Sequence, residues 1–450
     1  MNLLHPGRSS GPRIASMTRR SIALLIALPL ALSSAAVSAD ALLVRCGALI
    51  DGLSEQRQGA TDVLIEDSKI TRMGQSLETP EGVAVLDLRD HTCLPGLIEM
   101  HTHIMEGPEE LDDLTAYFDD SLEDNLVRGR RFARATLASG VTTARDLGSY
   151  YGWAARELRD EINRGESPGP RLLVAGYYLT IPGGGGDLLA PDIEESDIPA
   201  HMRLGVSRSP EEFAAHAQAA VDGGADVIKL IASGAVLAYG GEPGAPEMSP
   251  EEIRAVVEVA HAAGLKVAAH AHGAQSIIDA IEGGADTIEH ATYIDEEGIR
   301  LALEHDVALS MEIGPGDWMI EEGRKQGWVE EFLEKTIATT DIQRDSFRRA
   351  HAAGVPLVFG TDAGIYPHGM AGIQFAYMVE YGMTPMEAIQ AATSVSARYL
   401  GWEDRVGALQ PGRYGDLIAV RGNPLDDIRL LETVDSVIKG GEVFKAPGEP

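Results

Sequence analysis

Two histidines lie two residues apart at the end of an apolar stretch, PGLIEMHTH. Residues two apart in a β-strand point to the same side, so His101 and His103 would present both imidazoles to one region. Imidazole nitrogens bind divalent transition metals such as zinc. The alternative is a pair of histidines that only donate hydrogen bonds at a strand end. The spacing alone does not decide between a metal site and such a pair.

Three other apolar stretches end in metal-binding residue types. KVAAHAH, DTIEH and VFGTD place His270, His290 and Asp362 at or near their carboxyl ends. Each has an ordinary structural explanation by itself, because an aspartate after a strand often caps a helix and a buried histidine often donates to a carbonyl. Their recurrence at the same level of several strands predicts a metal centre.

Lys229 lies inside DVIKLIA, with apolar neighbours on both sides. Burying an unpaired ammonium is costly, so this group should lose its proton, gain a counter-charge or be chemically changed. One alternative is a lysine whose aliphatic stem extends to the rim of the fold. Beside the histidines, we favour a neutral Lys229 amine that takes up carbon dioxide as a carbamate, an anion able to bridge two metal ions.

Eight strand-like stretches alternate with amphipathic helical stretches after residue 97, which is the number of strands that a closed parallel barrel requires. They are LIEMHTH, VTTARDL, RLLVAG, DVIKLIA, KVAAHAH, DTIEH, VALSM and PLVFGTD. Barrel enzymes keep their active sites at the carboxyl ends of the strands, where the candidate ligands lie. The pattern therefore predicts an α/β protein with a (β/α)8 TIM barrel.

Short β-like stretches also occur at both ends of the chain, and the simplest account is that the two ends rejoin in one module. We therefore predict a small β-sandwich domain built from residues 40–97 and 401–450 around a barrel of residues 98–400.

The first residues have the pattern of an export signal. Arg19 and Arg20 precede SIALLIALPLAL, and small residues follow up to Ala39, so residues 1–39 are predicted to be a signal peptide. The apolar run is too short to span a bilayer comfortably, and no later segment suggests a membrane helix. We expect an exported protein, periplasmic or secreted, that is not membrane-bound after cleavage. The pair Cys46 and Cys93 could form one disulfide or remain two thiols.

The charge balance argues against nucleic acid as a partner. The 450 residues include 69 acidic and 37 basic ones, for a net charge of −32. A surface that holds phosphates needs clustered lysine and arginine. The hydrophobic content of 44% is ordinary for a folded globular protein.

Together, PGLIEMHTH, IKLIASG, VAAHAHG, TIEHATYID, FGTDAG and GALQPGRYGDLIAV resemble the amidohydrolase superfamily, in its imidazolonepropionase-like and Xaa-Pro dipeptidase-like branch. The resemblance implies two divalent metal ions, with zinc as the expected metal, and a homo-oligomer, with an octamer as one candidate. It implies that one ion binds His101, His103 and Asp362, that the other binds His270 and His290, and that carboxylated Lys229 spans both.

The chemistry implied by this resemblance is hydrolysis of an amide bond in a small molecule. Asp362 would take up the proton of the attacking water and pass it to the leaving nitrogen as a general acid. His290 would also contribute to catalysis, with an imidazole helping to hold the oxyanion.

The loops after the strands give the indications about substrate. In YYLTIPGGGGDLLAPD, Pro182 and Gly185 stand where dipeptidase-like relatives have threonine and histidine, which makes dipeptide recognition doubtful and suggests a roomier pocket. This loop resembles that of bacterial ochratoxin-hydrolysing amidohydrolases, which implies N-acyl amino acids with bulky or aromatic acyl groups as substrates. Tyr239 would bind the substrate carboxylate or only pack its loop, and His272 would contact substrate or support a ligand.

Three alternatives remain open at this stage. An Xaa-Pro or other dipeptidase would use the same ligands. A cyclic-amide hydrolase or deaminase would share the barrel, but many of these lack a lysine equivalent to Lys229. A non-catalytic metal-binding scaffold would be expected to have lost a ligand or Asp362, whereas all six positions are intact.

Overall fold

The computed structural model describes residues 41–108, 115 and 118–448. The predicted signal peptide, residues 1–39, lies outside the described residues. Within the described residues, no helix combines the length and the apolar character needed to cross a membrane.

The secondary structure alternates strands and helices through the middle of the chain. The strands are β1 (Ala41–Leu49), β2 (Thr61–Glu66), β3 (Lys69–Gly74), β4 (Ala84–Pro95), β5 (Leu97–Thr102), β6 (Val141–Asp146), β7 (Arg171–Val174), β8 (Tyr178–Leu179), β9 (Val227–Ile231), β10 (Lys266–Ala271), β11 (Thr287–His290), β12 (Ala308–Ser310), β13 (Leu357–Val358), β14 (Leu417–Arg421), β15 (Ser436–Lys439) and β16 (Glu442–Lys445). The α-helices are α1 (Leu122–Ala138), α2 (Ala154–Asn163), α3 (Pro210–Asp222), α4 (Pro250–Ala262), α5 (Ala274–Gly283), α6 (Glu296–Glu304), α7 (Pro315–Gln326), α8 (Glu330–Ala353), α9 (Ile373–Glu380), α10 (Pro385–Gln390) and α11 (Ser396–Leu400).

The two ends of the chain meet in one sheet, with the strand order β16-β15-β14-β4-β1-β2-β3. β14 pairs antiparallel with β4, and β4 pairs parallel with β1. A disulfide joins Cys46 on β1 to Cys93 on β4, which settles a point that the sequence left open. Strands from both ends of the chain thus share one sheet, while the small β-sandwich domain and its bounds stay a prediction.

The middle of the chain forms two parallel sheets, ordered β5-β6-β7 and β8-β9-β10-β11-β12-β13. Each of the eight predicted stretches contains one of these strands, and β8 is an additional short strand after β7. Every residue of β9 and β11 is buried, as expected for parallel strands covered on both faces. The α/β class with parallel sheets is therefore confirmed.

The two parallel sheets are joined through the chain that follows β13. The backbone N–H of Asp362 donates to His101 O at 2.9 Å, and that of Met100 donates to Phe359 O at 2.8 Å. These bonds place the segment after β13 beside β5, so residues from both sheets reach the same region. Closure of all eight strands into a barrel stays a prediction.

Helix starts follow their sequence signals. Ser249 and Thr384 each accept from the backbone N–H three residues later, and the glutamate at that position bonds back to the cap. A proline occupies the first turn of both helices, where its missing N–H costs no intrahelical bond. These caps fix where α4 and α10 begin, and so help to set the lengths of the loops that precede them.

Candidate metal centre

The six predicted ligands converge at the carboxyl ends of the parallel strands. They are His101 on β5, His103 just after it, Lys229 within β9, His270 on β10, His290 at the end of β11 and Asp362 four residues after β13. The period of two in β5 turns His101 and His103 to the same side, as the sequence predicts.

His101, His103 and Asp362 form the first group of ligand atoms. Asp362 Oδ1 lies 3.3 Å from His101 Nε2 and 3.2 Å from His103 Nε2. Burial alone raises the pKa of the Asp362 carboxyl, but the neighbouring His101 and His103 outweigh this and hold the pKa below its usual range. The carboxylate is therefore ionised at neutral pH, which is the form that binds a cation.

Three imidazoles form the second group. The ring centroid of His270 lies 4.5 Å from that of His290 and 4.7 Å from that of His272. His272 stacks on His290, and its Nδ1 lies 2.8 Å from Thr292 Oγ1. His272 therefore reaches the same cluster as the two predicted ligands, and its role as a substrate contact stays a prediction.

Lys229 is buried, with 2% of its surface exposed, and it lines the same cavity as residues of both groups. Its Nζ has no hydrogen-bond partner among the described residues. Burial is the main reason why the pKa of Lys229 falls to about 8. A substantial neutral fraction near pH 8 makes the amine nucleophilic, which is what carbamate formation requires.

Glu312, two residues after β12, belongs to the site although the sequence did not single it out. Its Oε1 lies 3.1 Å from His101 Nδ1, and its Oε2 lies 3.0 Å from His290 Nδ1. The Glu312 carboxylate thus contacts one predicted histidine ligand of each ion. The sequence signal that could have identified Glu312 is its position just after a parallel strand, because the predicted ligands also lie at or near strand ends.

Tyr178 and Glu106 form a second unpredicted contact chain, on the side of His103. The Tyr178 hydroxyl lies 3.1 Å from His103 Nδ1 and donates to Glu106 Oε1 at 3.2 Å. His103 Nδ1 also lies 2.8 Å from the carbonyl oxygen of Gly148. These contacts hold the ring so that Nε2 points to Asp362, as a ligating histidine requires.

A buried ion pair lies behind the ligands. Arg145 on β6 donates to Glu289 Oε1 on β11 at 2.9 Å and to Met100 O on β5 at 2.6 Å. Removing one partner of such a pair would leave an uncompensated buried charge, which typically costs about 3–5 kcal/mol. The pair therefore ties together three strands that carry or adjoin predicted metal ligands.

Two predicted ligands have a backbone conformation that non-glycine residues rarely adopt. His290 has a φ of 70° and Asp362 a φ of 57°. Such residues persist only where their surroundings determine them, and they concentrate at functional sites. Here the Gln343 side chain donates to His290 O at 3.2 Å, and the Asp362 N–H donates to His101 O at 2.9 Å.

The arrangement meets the requirements of a divalent metal site. Besides Lys229 Nζ, the buried atoms His270 Nε2 and Asp362 Oδ1 also make no hydrogen bond within the described part of the chain, although buried polar atoms normally have partners. Three groups of side chains bring their ligand atoms within 4.8 Å of one another, namely His101/His103/Asp362, His101/His290/Glu312 and His270/His272/His290. Nitrogen and oxygen donors of these types suit zinc and similar ions.

Comparison with known proteins agrees with this geometry. A family model for the amidohydrolase family matches residues 92–444, which contain all six predicted ligands. The chain belongs to the amidohydrolase family. This family is generally metal-dependent, and membership makes the protein a hydrolase that acts on amide bonds.

Three relatives illustrate the branch of the family. Ochratoxinase of Aspergillus niger is 30% identical over 425 residues, covering 90% of this chain and 87% of its own length. Imidazolonepropionase of Chromobacterium violaceum is 26% identical over 361 residues, covering 74% of this chain and 78% of its own length. The crystal structure of a Xaa-Pro dipeptidase with bound methionine has a TM-score of 0.83 and 36% identity, covering 90% of this chain and 100% of that one. The suspected family branch is thereby confirmed.

The residues of the amidohydrolase site line a cavity with an empty volume of about 1150 Å³, including its open mouth. The apolar part of the cavity lining, called the apolar wall, includes Val236 and Leu237 after β9, Met319 on α7 and Ile365 after β13. The cavity lining thus combines the candidate metal ligands with apolar side chains.

Three threonines of α8 also line the cavity, and their hydroxyl groups donate hydrogen bonds within the helix. Thr336, Thr339 and Thr340 donate to backbone carbonyl oxygens four residues earlier, at 2.8, 2.8 and 2.7 Å. They therefore have no hydroxyl proton left to offer a substrate. This makes the cavity lining less polar than its composition suggests.

The glycine run after β8 lines the cavity through Gly185 and Gly186. A Cβ at Gly185 would lie 2.9 Å from Ala235 Cβ, so the histidine of the dipeptidase-like pattern would not fit this backbone without a shift. Tyr239 is not among the described residues that line the cavity, and its ring packs against Phe332 with a centroid distance of 4.9 Å. Its binding of a substrate carboxylate stays a prediction.

Proposed function

We propose that this amidohydrolase uses two divalent metal ions, zinc in the first instance, to hydrolyse N-acyl amino acids with bulky or aromatic acyl groups, such as ochratoxin A. The cavity that joins a cluster of ligands to an apolar wall is the observation that carries the proposal. The relation to ochratoxinase supports it.

The proposed ligands are His101, His103 and Asp362 for one ion and His270 and His290 for the other. The carbamate of Lys229 would bridge the two sets. Its amine nitrogen forms a bond to the carbon of carbon dioxide and releases a proton, leaving the carbamate anion. Bound divalent ions lower the pKa of a coordinated water and polarise a carbonyl.

The chain itself would orient the substrate and move one proton. The apolar wall around Met319 and Ile365 would hold the acyl group, and so direct the amide towards the ligands. Asp362, ionised in the resting site, would accept a proton from the attacking water and deliver it to the leaving nitrogen. His290 and His272 stack on each other in the lining of the cavity and would contact the reacting carbonyl or the amino-acid portion.

A Xaa-Pro dipeptidase is the second candidate, because a structure of that activity is 36% identical over most of the chain. The tight packing at Gly185 weighs against it, since a histidine side chain there would require a shift of the backbone or of Ala235.

We further propose that strands β5–β7 and β9–β13 close into a TIM barrel, that the seven-stranded sheet belongs to a β-sandwich domain, and that the mature protein is an exported homo-oligomer. The disulfide supports export, because disulfides persist in oxidising compartments.

Metal analysis followed by a release assay tests the proposed function. The purified protein would be compared on ochratoxin A, N-acetylphenylalanine and Xaa-Pro dipeptides, before and after chelation and re-addition of zinc. We expect two ions per chain and phenylalanine release that is fastest from ochratoxin A. Faster release from the dipeptides would favour the second candidate, and release that survives complete metal removal would exclude both.

A further inference from the structure

One buried carboxylate connects the two halves of the candidate metal centre. Glu312 has 5% of its surface exposed and follows β12 by two residues. Its Oε1 forms a hydrogen bond with His101 Nδ1 at 3.1 Å, and its Oε2 lies 3.0 Å from His290 Nδ1. His101 belongs to the first ligand group and His290 to the second.

The protein holds this carboxylate in a fixed place. Ser310, two residues earlier and on the same side of the strand, donates to Glu312 Oε1 at 2.7 Å. A Cβ at Gly360 would lie 2.3 Å from Ser310 Oγ and 2.9 Å from Glu312 Oε1, so the Ser310–Glu312 pair needs a glycine at that position. Glu312 therefore sits in a space that β12 and the chain after β13 leave for it.

A carboxylate can only accept hydrogen bonds, and this determines the state of both imidazoles. A neutral histidine whose Nδ1 donates to Glu312 must have its lone pair on Nε2. In His101 that Nε2 faces Asp362 Oδ1 at 3.3 Å, inside the first ligand group. The second contact, between His290 Nδ1 and Glu312 Oε2, lies within hydrogen-bond distance at 3.0 Å but is not aligned as a hydrogen bond.

A second carboxylate near His101 does not take this role. Glu289 Oε2 lies 3.4 Å from His101 Nδ1 and makes no hydrogen bond to any described residue. Its other oxygen accepts from Arg145 at 2.9 Å. Glu312 is therefore the acceptor that orients His101.

We propose that Glu312 is a positioning residue for both metal ions, because it selects the Nδ1–H tautomer of His101 and of His290 and so turns the Nε2 lone pair of each ring towards an ion. This inference rests on the proposed binding of two divalent ions. It adds the claim that the two ion sites depend on one shared acceptor.

Glu312→Gln tests the proposal with little change in shape. Glutamine has one acceptor oxygen and a donating amide nitrogen, so it can hold only one of the two rings in the required tautomer. In the metal-free wild type labelled with 15N-histidine, NMR should show His101 and His290 as Nδ1–H forms. In the variant one of them should become Nε2–H, and the zinc dissociation constant, measured against a chromophoric chelator, should rise about 10- to 100-fold.

Glu247→Gln is the matched control, since Glu247 is a largely buried carboxylate whose oxygens accept from Gly185 N at 2.9 and 3.1 Å. In Glu247→Gln, the tautomers of His101 and His290 and the zinc affinity should equal those of the wild type. Ser310→Ala, which removes only the bond that orients Glu312, should weaken zinc binding in the same direction and keeps the test available if Glu312→Gln fails to fold.

Two outcomes would overturn the inference. Unchanged tautomers and zinc affinity in Glu312→Gln would show that the carboxylate positions neither ring. Loss of one ion with both Nδ1–H tautomers retained would make Glu312 a direct ligand. A wild type that binds no divalent ion would instead remove the proposed function, while the tautomer measurement would still report on Glu312.

Discussion

At the scale of single residues, Lys229 is the most informative side chain to change. Lys229→Ala should lose activity and much of the second ion, because the proposed bridge disappears with the amine. Small carboxylic acids added with zinc should partly restore both, since a carboxylate can occupy the space of the carbamate. Metal content by mass spectrometry and turnover on an N-acyl amino acid measure the two effects.

The control for this change is Lys439→Ala. Lys439 is also a lysine whose pKa is lowered to about 8, chiefly by burial, but it lies on β15 and donates to Gly169 O at 2.6 Å. The Lys439→Ala variant should keep the metal content and the turnover of the wild type. Full metal content and turnover in Lys229→Ala would argue against the bridge.

Asp362→Asn separates proton transfer from folding. The amide has nearly the same shape, so the fold should persist, but it cannot accept and return the proton of the attacking water. General acid–base groups contribute about 10²- to 10⁴-fold, and kcat should fall by that order. Steady-state kinetics together with circular dichroism would check this, and wild-type kinetics in a folded, metal-loaded variant would remove the role.

The residues that converge at the candidate metal centre were predictable from sequence, but some of their partners were not. His101, His103, His270, His290 and Asp362 stand at or near the ends of apolar stretches, and parallel strands bring such ends together. Glu312 lies in MEIGPGD, where a glutamate next to glycine and proline resembles an ordinary loop residue. Only the three-dimensional proximity of β12 to β5 and β11 identifies its contacts.

At the scale of secondary-structure elements, α7 and α8 determine the shape of the cavity. They supply Met319 and the three threonines, which line the same cavity as the candidate ligands. Their existence follows from amphipathic patterning, but their position over the site depends on tertiary packing. The sequence therefore predicted a roomy pocket from Gly185 without identifying this wall.

Met319→Trp should narrow the cavity at the apolar wall. We expect kcat/KM for an aromatic acyl substrate to fall at least 10-fold, because pocket contacts of this kind are worth about 1–3 kcal/mol, while the value for N-acetylphenylalanine should change little. Met73→Trp, the same replacement on β3 and away from the cavity, is the control. An equal loss on both substrates in Met319→Trp would show that the wall does not select the acyl group.

At the scale of the whole molecule, the sheet that unites the chain ends carries the disulfide. The sequence could not decide this pairing, because it depends on the parallel register that puts β1 beside β4, with Cα atoms of Cys46 and Cys93 5.8 Å apart. The bond closes a loop with a sequence separation of 47. Loop closure of this length limits the unfolded chain and typically stabilises a protein by about 2–4 kcal/mol.

Reduction of this bond should therefore lower the free energy of unfolding by about 2–4 kcal/mol, while activity at 25 °C persists because the cysteines lie in the seven-stranded sheet and not in the cavity. Urea unfolding of the mature chain with and without reductant measures the difference. A Cys46→Ala, Cys93→Ala double variant should show no reductant effect. Protein exported to an oxidising compartment should give the unfolding curve of the oxidised chain, and protein made in the cytosol should give that of the reduced chain. Identical unfolding curves for the two preparations would contradict a role for export in stabilising this fold.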